Sequence, residues 1–239
     1  MKTNNLLILS LFVLSLGAAS CVEDAFLEGN NDFQTETRRA SGFEEISSSG
    51  DFRVTVQAGD DYSVEVSAES NLLSYIETDV VGNTLKIRTR GIHSLHENYP
   101  IEVLITTPVL QGLSLSGSGW IKTDSFVTDQ FRIAVSGSGD IDTKVSARSL
   151  KANVSGSGTI FLQGDATETE MVISGSGKIE SYDFEQSQCE AVISGSGEMY
   201  VNVSDRIDAR ISGSGRVYYI NQPVVHTSIS GSGAVIDRN

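Results

Sequence analysis

The sequence predicts an all-β fold, a right-handed parallel β-solenoid (β-helix) with coils of about 19 residues and irregular N-terminal capping coils. Three observations predict it. First, Ser-Gly-Ser-Gly occurs seven times, starting at Ser116, Ser136, Ser155, Ser174, Ser194, Ser212 and Ser230. Successive starts differ by 20, 19, 19, 20, 18 and 18 residues, a period that suits one solenoid coil. Second, the residues one, three and five before the first Ser are almost all apolar: Val135, Ile133 and Phe131 in one coil, Ile193, Ala191 and Cys189 in another. The position four before it is polar or charged, as Arg132, Lys151, Glu170, Glu190, Asp208 and His226. Period-two alternation marks a half-buried strand. Third, the residue five after the first Ser is apolar in every copy: Ile121, Ile141, Ile160, Ile179, Met199, Val217 and Val235. Two inward strands therefore flank each glycine-rich corner.

The coil elements follow in order. Glycine at the corner tolerates positive φ and close backbone approach, and stacked serines could hydrogen-bond to one another there. The rest of each coil, for example Thr143 to Arg148 and Asn202 to Arg206, varies in length and composition and reads as a turn or a loose third side. Parallel strands in adjacent coils should stack about 4.8 Å apart, and the crossover preference favours right-handed winding. Such a coil cannot bury its apolar face alone, so the repeats fold as an array.

Residues 1–20 read as a signal peptide. Lys2 supplies the positive start and Leu6 to Leu16 an apolar run broken only by Ser10 and Ser15, too short for the roughly 20 residues that span a bilayer. The run ends in Ala18-Ala19-Ser20-Cys21, which resembles a bacterial lipoprotein box with Cys21 as the lipidated residue; Ala18 stands where Leu or Val is more usual. An ordinary signal with a coincidental Cys is the alternative. Residues 21–41 carry scattered charge without periodicity and read as the lipidated Cys and a flexible tether. Acidic residues after such a Cys resemble surface-export signals of Bacteroidetes-type lipoproteins.

Residues 42–239 are expected to form one solenoid domain, with irregular N-terminal coils over 42–115 and the repeats over 116–239. In the first part Phe52, Val54 and Val56 alternate, as do Tyr62, Val64 and Val66. A short helix is expected over Asn71 to Ile76 and a turn at Gly82-Asn83, and Ser49-Gly50-Asp51-Phe52 reads as a decayed corner. The net charge of −14 argues against nucleic acid, which rewards clustered Lys and Arg, and against adhesion to anionic lipid. Two cysteines, one of them lipidated, leave no disulfide, and Cys189 falls on the inward register.

Gly42-Phe43-Glu44-Glu45-Ile46, Asp51-Phe52-Arg53-Val54-Thr55-Val56, Asn71-Leu72-Leu73, Gly82-Asn83-Thr84-Leu85-Lys86-Ile87 and the Ser-Gly-Ser-Gly-x-Ile repeats together resemble the auto-transporter adhesin "head GIN" domain family. The resemblance covers roughly 42 to 238 and implies a β-solenoid in a secreted or lipoprotein chain. It carries over no catalytic or binding residues.

No metal or cofactor is implied. His93-x-x-His96 lacks further ligands, and zinc needs three or four. Gly137-Ser138-Gly139-Asp140 faintly resembles calcium repeats, but those recur every nine residues with the Asp kept. Asp140 and Asp142 read as surface charge rather than a catalytic pair. The candidate contacts are aromatic: Phe161, Tyr200 and Tyr218, six residues after the first Ser of their coils, and Trp120 two positions earlier in its own. Outward aromatics bind sugar rings or protein partners; packing under the third side is the alternative. The expected function is a non-enzymatic, lipid-anchored envelope protein, an outer-membrane lipoprotein and surface-exposed, serving as an adhesion or interaction surface. A carbohydrate-binding or carbohydrate-cleaving β-helix and a self-associating structural protein are the alternatives.

Overall fold

The structure is a computed structural model that describes residues 26–91 and 94–239. The expected signal peptide, Cys21 and His93 lie outside the described residues. The N-terminal part holds β1 (Phe26–Glu28), β2 (Phe33–Arg38), β3 (Glu45–Ser49), β4 (Arg53–Ala58), β5 (Ser63–Glu69), β6 (Ile76–Val81), β7 (Thr84–Thr89), β8 (Ser94–His96) and β9 (Glu102–Thr107). The repeats supply β10 (Gly112–Gly117), β11 (Trp120–Gly137), β12 (Asp140–Gly156), β13 (Thr159–Gly175) and β14 (Lys178–Gly195). They end in β15 (Glu198–Gly213), β16 (Arg216–Ile220), β17 (Val224–Gly231) and β18 (Ala234–Asp237). The expected short helix is a single 3-10 turn, Leu73–Tyr75. Among the described residues no helix is long and apolar enough to cross a membrane.

Consecutive repeat strands pair in parallel and in register, Ile133 over Leu113 and Ile141 over Ile121, so the repeats are stacked coils of a β-solenoid of about seven turns. One core runs through the stack from Phe43 to Val217, and the predicted inward residues from Phe131 to Ile211 are buried in it.

Two features differ from the sequence reading. The third side is strand, not a loose turn: β11 to β15 run 16 to 18 residues almost unbroken, and Phe126, Val145, Phe184 and Val203 are buried there. Variable length is absorbed by register shifts, between Lys122 and Ser125 and between Ser181 and Glu185. The corner is also held by backbone rather than by serine hydroxyls. The N–H of Ser157 donates to the Gly137 carbonyl at 2.9 Å, and Ser176 and Ser196 repeat the bond to Gly156 and Gly175. Ser136 and Ser138 face solvent.

The N-terminal part extends and closes the stack. β3 stacks beneath β10 and β4 beneath β11, with Gly50 at φ 135° as the predicted decayed corner between them. Below these, β5 runs antiparallel to β9 and β6 antiparallel to β7, so the end is sealed by reversed strands. β2, within the stretch expected as tether, pairs antiparallel with β5. Its residues alternate in neither apolarity nor burial, which is why the pairing left no mark in the sequence.

A buried carboxylate fastens this cap. Glu69 accepts hydrogen bonds from the N–H of Asn31 at 2.7 Å, the N–H of Asn98 at 2.9 Å and the Asn98 side-chain amide at 3.0 Å. Burial pushes its pKa up, but these bonds and one from the Tyr99 backbone outweigh it and hold the group below 4.5. A depressed folded pKa gives stability that is complete above the unfolded value and lost as pH falls through the folded one. Thermal melts of the wild type and Glu69→Gln should therefore differ at pH 6 and converge as pH drops below about 4.5. A gap that stays constant with pH would rule out the carboxylate as the fastener.

Candidate functional site

One outward face collects the aromatic candidates. Inward Val103, Val54, Ile121, Ile141 and Ile160 force their strand neighbours outward, because side chains alternate along a strand. Register then places Leu104, Thr55, Lys122, Asp142, Phe161, Glu180, Tyr200 and Tyr218 in one column. The neighbouring column runs through Glu102, Arg53, Trp120 and Asp140. All four sequence candidates thus share one face, but they differ in what they leave open.

Tyr200 and Tyr218 stack with ring centroids 4.8 Å apart and an interplanar angle of 19°. Tyr182 meets Tyr200 edge-on at 5.5 Å, Lys178 Nζ lies 5.4 Å from the Tyr200 ring, and the Arg238 guanidinium lies 5.0 Å from that of Tyr218. Tyr218 is 9 % exposed and Tyr200 half-buried. The Tyr200 hydroxyl donates to Glu198 at 2.9 Å, and burial followed by that carboxylate pushes its pKa up to about 12. Most ring surface in this trio is spent on neighbours.

Phe161 is the most open of the four, and Trp120, though half-buried like Tyr200, lies beside open space. Phe161 is 41 % exposed between Asp142 and Glu180. Trp120 is half-buried and borders a shallow depression of 410 Å³ with Arg53, Glu65, Glu102 and the 38 % exposed Leu104. Lys122 Nζ sits 5.9 Å from the indole. Sequence reasoning missed Arg53, Glu65, Glu102 and Leu104, which β4, β5 and β9 bring beside Trp120. Leu104 was hidden in the mostly apolar stretch Ile101 to Ile105, where only alternation from Glu102 separates the outward residue from inward Val103 and Ile105.

A second face carries the row four before each corner. There Lys151 bonds Glu170, Glu190 bonds Arg210, and Asp208 meets Arg206 at 2.9 Å and His226 at 3.4 Å. Asp142 is engaged likewise by Lys122 at 3.7 Å, and Asp140 accepts the Thr159 N–H. Each of these carboxylates is occupied by a cation or an N–H. Cys189 is buried, and burial pushes its thiol up to about 12, so it packs as a neutral hydrophobe. Among the described residues no group of three or more His, Cys, Asp or Glu side chains could hold a metal ion.

Residues 42–223 match the family model described as "Putative auto-transporter adhesin, head GIN domain". The chain belongs to this head GIN domain family. Solved structures similar to this head GIN chain include a "putative adhesin" from Bacteroides fragilis, 22 % identical, with a TM-score of 0.82 over 89 % of this chain and 100 % of the other. Another adhesin of that description, from Parabacteroides merdae, is 19 % identical with a TM-score of 0.72, over 90 % of this chain and 99 % of that one. A "putative lipid binding protein" from Parabacteroides distasonis is 25 % identical with a TM-score of 0.73, over 90 % and 100 %. No curated protein matches the sequence significantly.

Proposed function

We propose that this chain is an adhesin-type display protein of the cell envelope, anchored by a lipid on Cys21, whose working surface is the face bearing Trp120 and Phe161. The observation that carries this reading is exposed Phe161 together with Trp120, which borders a depression beside Leu104, Arg53, Glu65 and Glu102 on the same sheet face. An indole offers an apolar face to the C–H side of a sugar ring, while the guanidinium and carboxylates can bond its hydroxyls. The family and the adhesin names of its structural relatives support an envelope or surface role. A lipid-binding reading gains little, because among the described residues the solenoid interior is filled by side chains.

A glycan array probed with residues 22–239 tests the face, beside a Trp120→Ala/Phe161→Ala variant and a Tyr200→Ala variant. The expected result is binding reduced at least tenfold by the double substitution and much less by Tyr200→Ala, since Tyr200 is already spent on Tyr218 and Tyr182. Binding that survives the double substitution would place the contact elsewhere, and a blank array would exclude the glycan as the partner of this face.

A further inference from the structure

The two ends of the solenoid are finished differently. At the N-terminal end the stack closes on antiparallel strands, β6 on β7 and β2 on β5, with Glu36, Arg38, Glu77 and Asp79 among their residues. At the C-terminal end β17 pairs with β15 and β18 with β16, both in parallel, and among the described residues no strand lies beyond them. The core columns arrive there open: Ile229 is 41 % exposed, whereas Ile211 beneath it is 2 % and Ile193 1 % exposed. Val225 and Val235 are only half-buried, and Val224 is 60 % exposed.

The backbone is open in the same way. At the equivalent position five coils earlier, the N–H of Arg132 bonds back to the Gln111 carbonyl. His226 occupies that position in β17, so the alternate residues Val225, Thr227 and Ile229 aim their N–H and C=O groups at the open end. An edge of this kind pairs with another strand unless charge or proline blocks it. Here neither does: residues 224–236 contain no Asp, Glu, Lys, Arg or Pro, in a chain whose net charge is −14. A neutral end on an acidic protein is the surface that a second copy can approach with least repulsion.

We propose that β17 is a self-association edge, at which two copies meet end to end with β17 antiparallel to its counterpart about a two-fold axis at Thr227. This register sets Val225 opposite Ile229 of the second copy, so the inward columns run on across the junction and both residues become buried. A two-residue slip would set Val225 opposite Gly231 and Ile229 opposite Thr227, wasting the match. The charged, reversed strands at the other end neither continue the columns nor match an uncharged edge. The contact is therefore isologous and closes as a dimer instead of growing into a fibre. It uses a different surface from the Trp120 face and stands independently of it.

Sedimentation of residues 22–239 over about 1 to 100 μM should show a monomer–dimer equilibrium. Thr227→Pro, which removes an edge N–H, should shift it to monomer, with a thermal melt to confirm that the fold survives. Cross-linking fixes the register without relying on that variant. In the proposed pairing His226 faces Ser228 of the second copy as a non-hydrogen-bonded pair with Cα atoms about 4.5 Å apart, within disulfide range. His226→Cys and Ser228→Cys chains oxidised together should form a disulfide-linked heterodimer that neither forms alone. A chain that stays monomeric throughout, a dimer that persists in a folded Thr227→Pro variant, or cross-linking equally strong in the single-variant samples would each overturn the proposal.

Discussion

Phe184→Ala is expected to destabilise the protein by about 3 to 5 kcal/mol, the cost of emptying a fully buried aromatic site. Phe184 is 0 % exposed on the third side of its coil. Register puts Phe126, Val145, Gly164 and Phe184 in one inward column, so a residue without a side chain separates Val145 from the ring. Gly164 cannot compensate by growing: at φ 114° its Cβ would fall 2.1 Å from the Val145 carbonyl oxygen. The cavity left by the ring would thus stay open, which places the loss at the upper end of the range. In a domain of this size it should lower the melting temperature by roughly 10 °C. Circular dichroism melts and urea titrations would measure it. A loss under about 1 kcal/mol would mean that the third side is held loosely after all.

Gly156→Ala should be comparably costly for a different reason. Gly156 sits at φ 120°, and its Cβ would lie 2.5 Å from the Gly137 carbonyl oxygen of the coil beneath. That oxygen also accepts the N–H of Ser157 and of Gly158, so it cannot retreat without breaking the corner's own hydrogen bonds. Backbone strain together with the clash should cost about 3 kcal/mol or more. Gly42→Ala is the internal control, since Gly42 also has positive φ, 73°, but nothing lies within 4 Å of its Cβ. That change should cost only about 1 to 2 kcal/mol. Equal losses at the two sites would show that φ alone, and not close stacking of the coils, fixes glycine at the corner.

These two residues mark how far the sequence could be read. Gly156 belongs to a motif that repeats with its coil, and a motif written seven times in register announces the contact it makes with itself. The inward columns through Ile133, Ala152, Met171 and Ala191 were legible for the same reason, because strand alternation is local and each coil copies the last. Phe184 was not legible. On the third side register slips between coils, so its column cannot be found by counting from the corner.

The candidate face divides the same way. That Trp120, Phe161, Tyr200 and Tyr218 share one face follows from the period. Which of them stays open does not, since Arg238 over Tyr218 and Leu104, Arg53 and Glu65 beside Trp120 come from segments outside the repeat. By itself the sequence determined the solenoid, its period, its glycine corners and two of its inward strands, because these depend on short-range alternation and on each coil stacking against a near copy of itself. Only the tertiary structure decided the filled third side, the antiparallel N-terminal cap fastened by Glu69 and the open C-terminal edge, because these depend on unlike segments meeting, and no local pattern encodes a partner that is not a repeat.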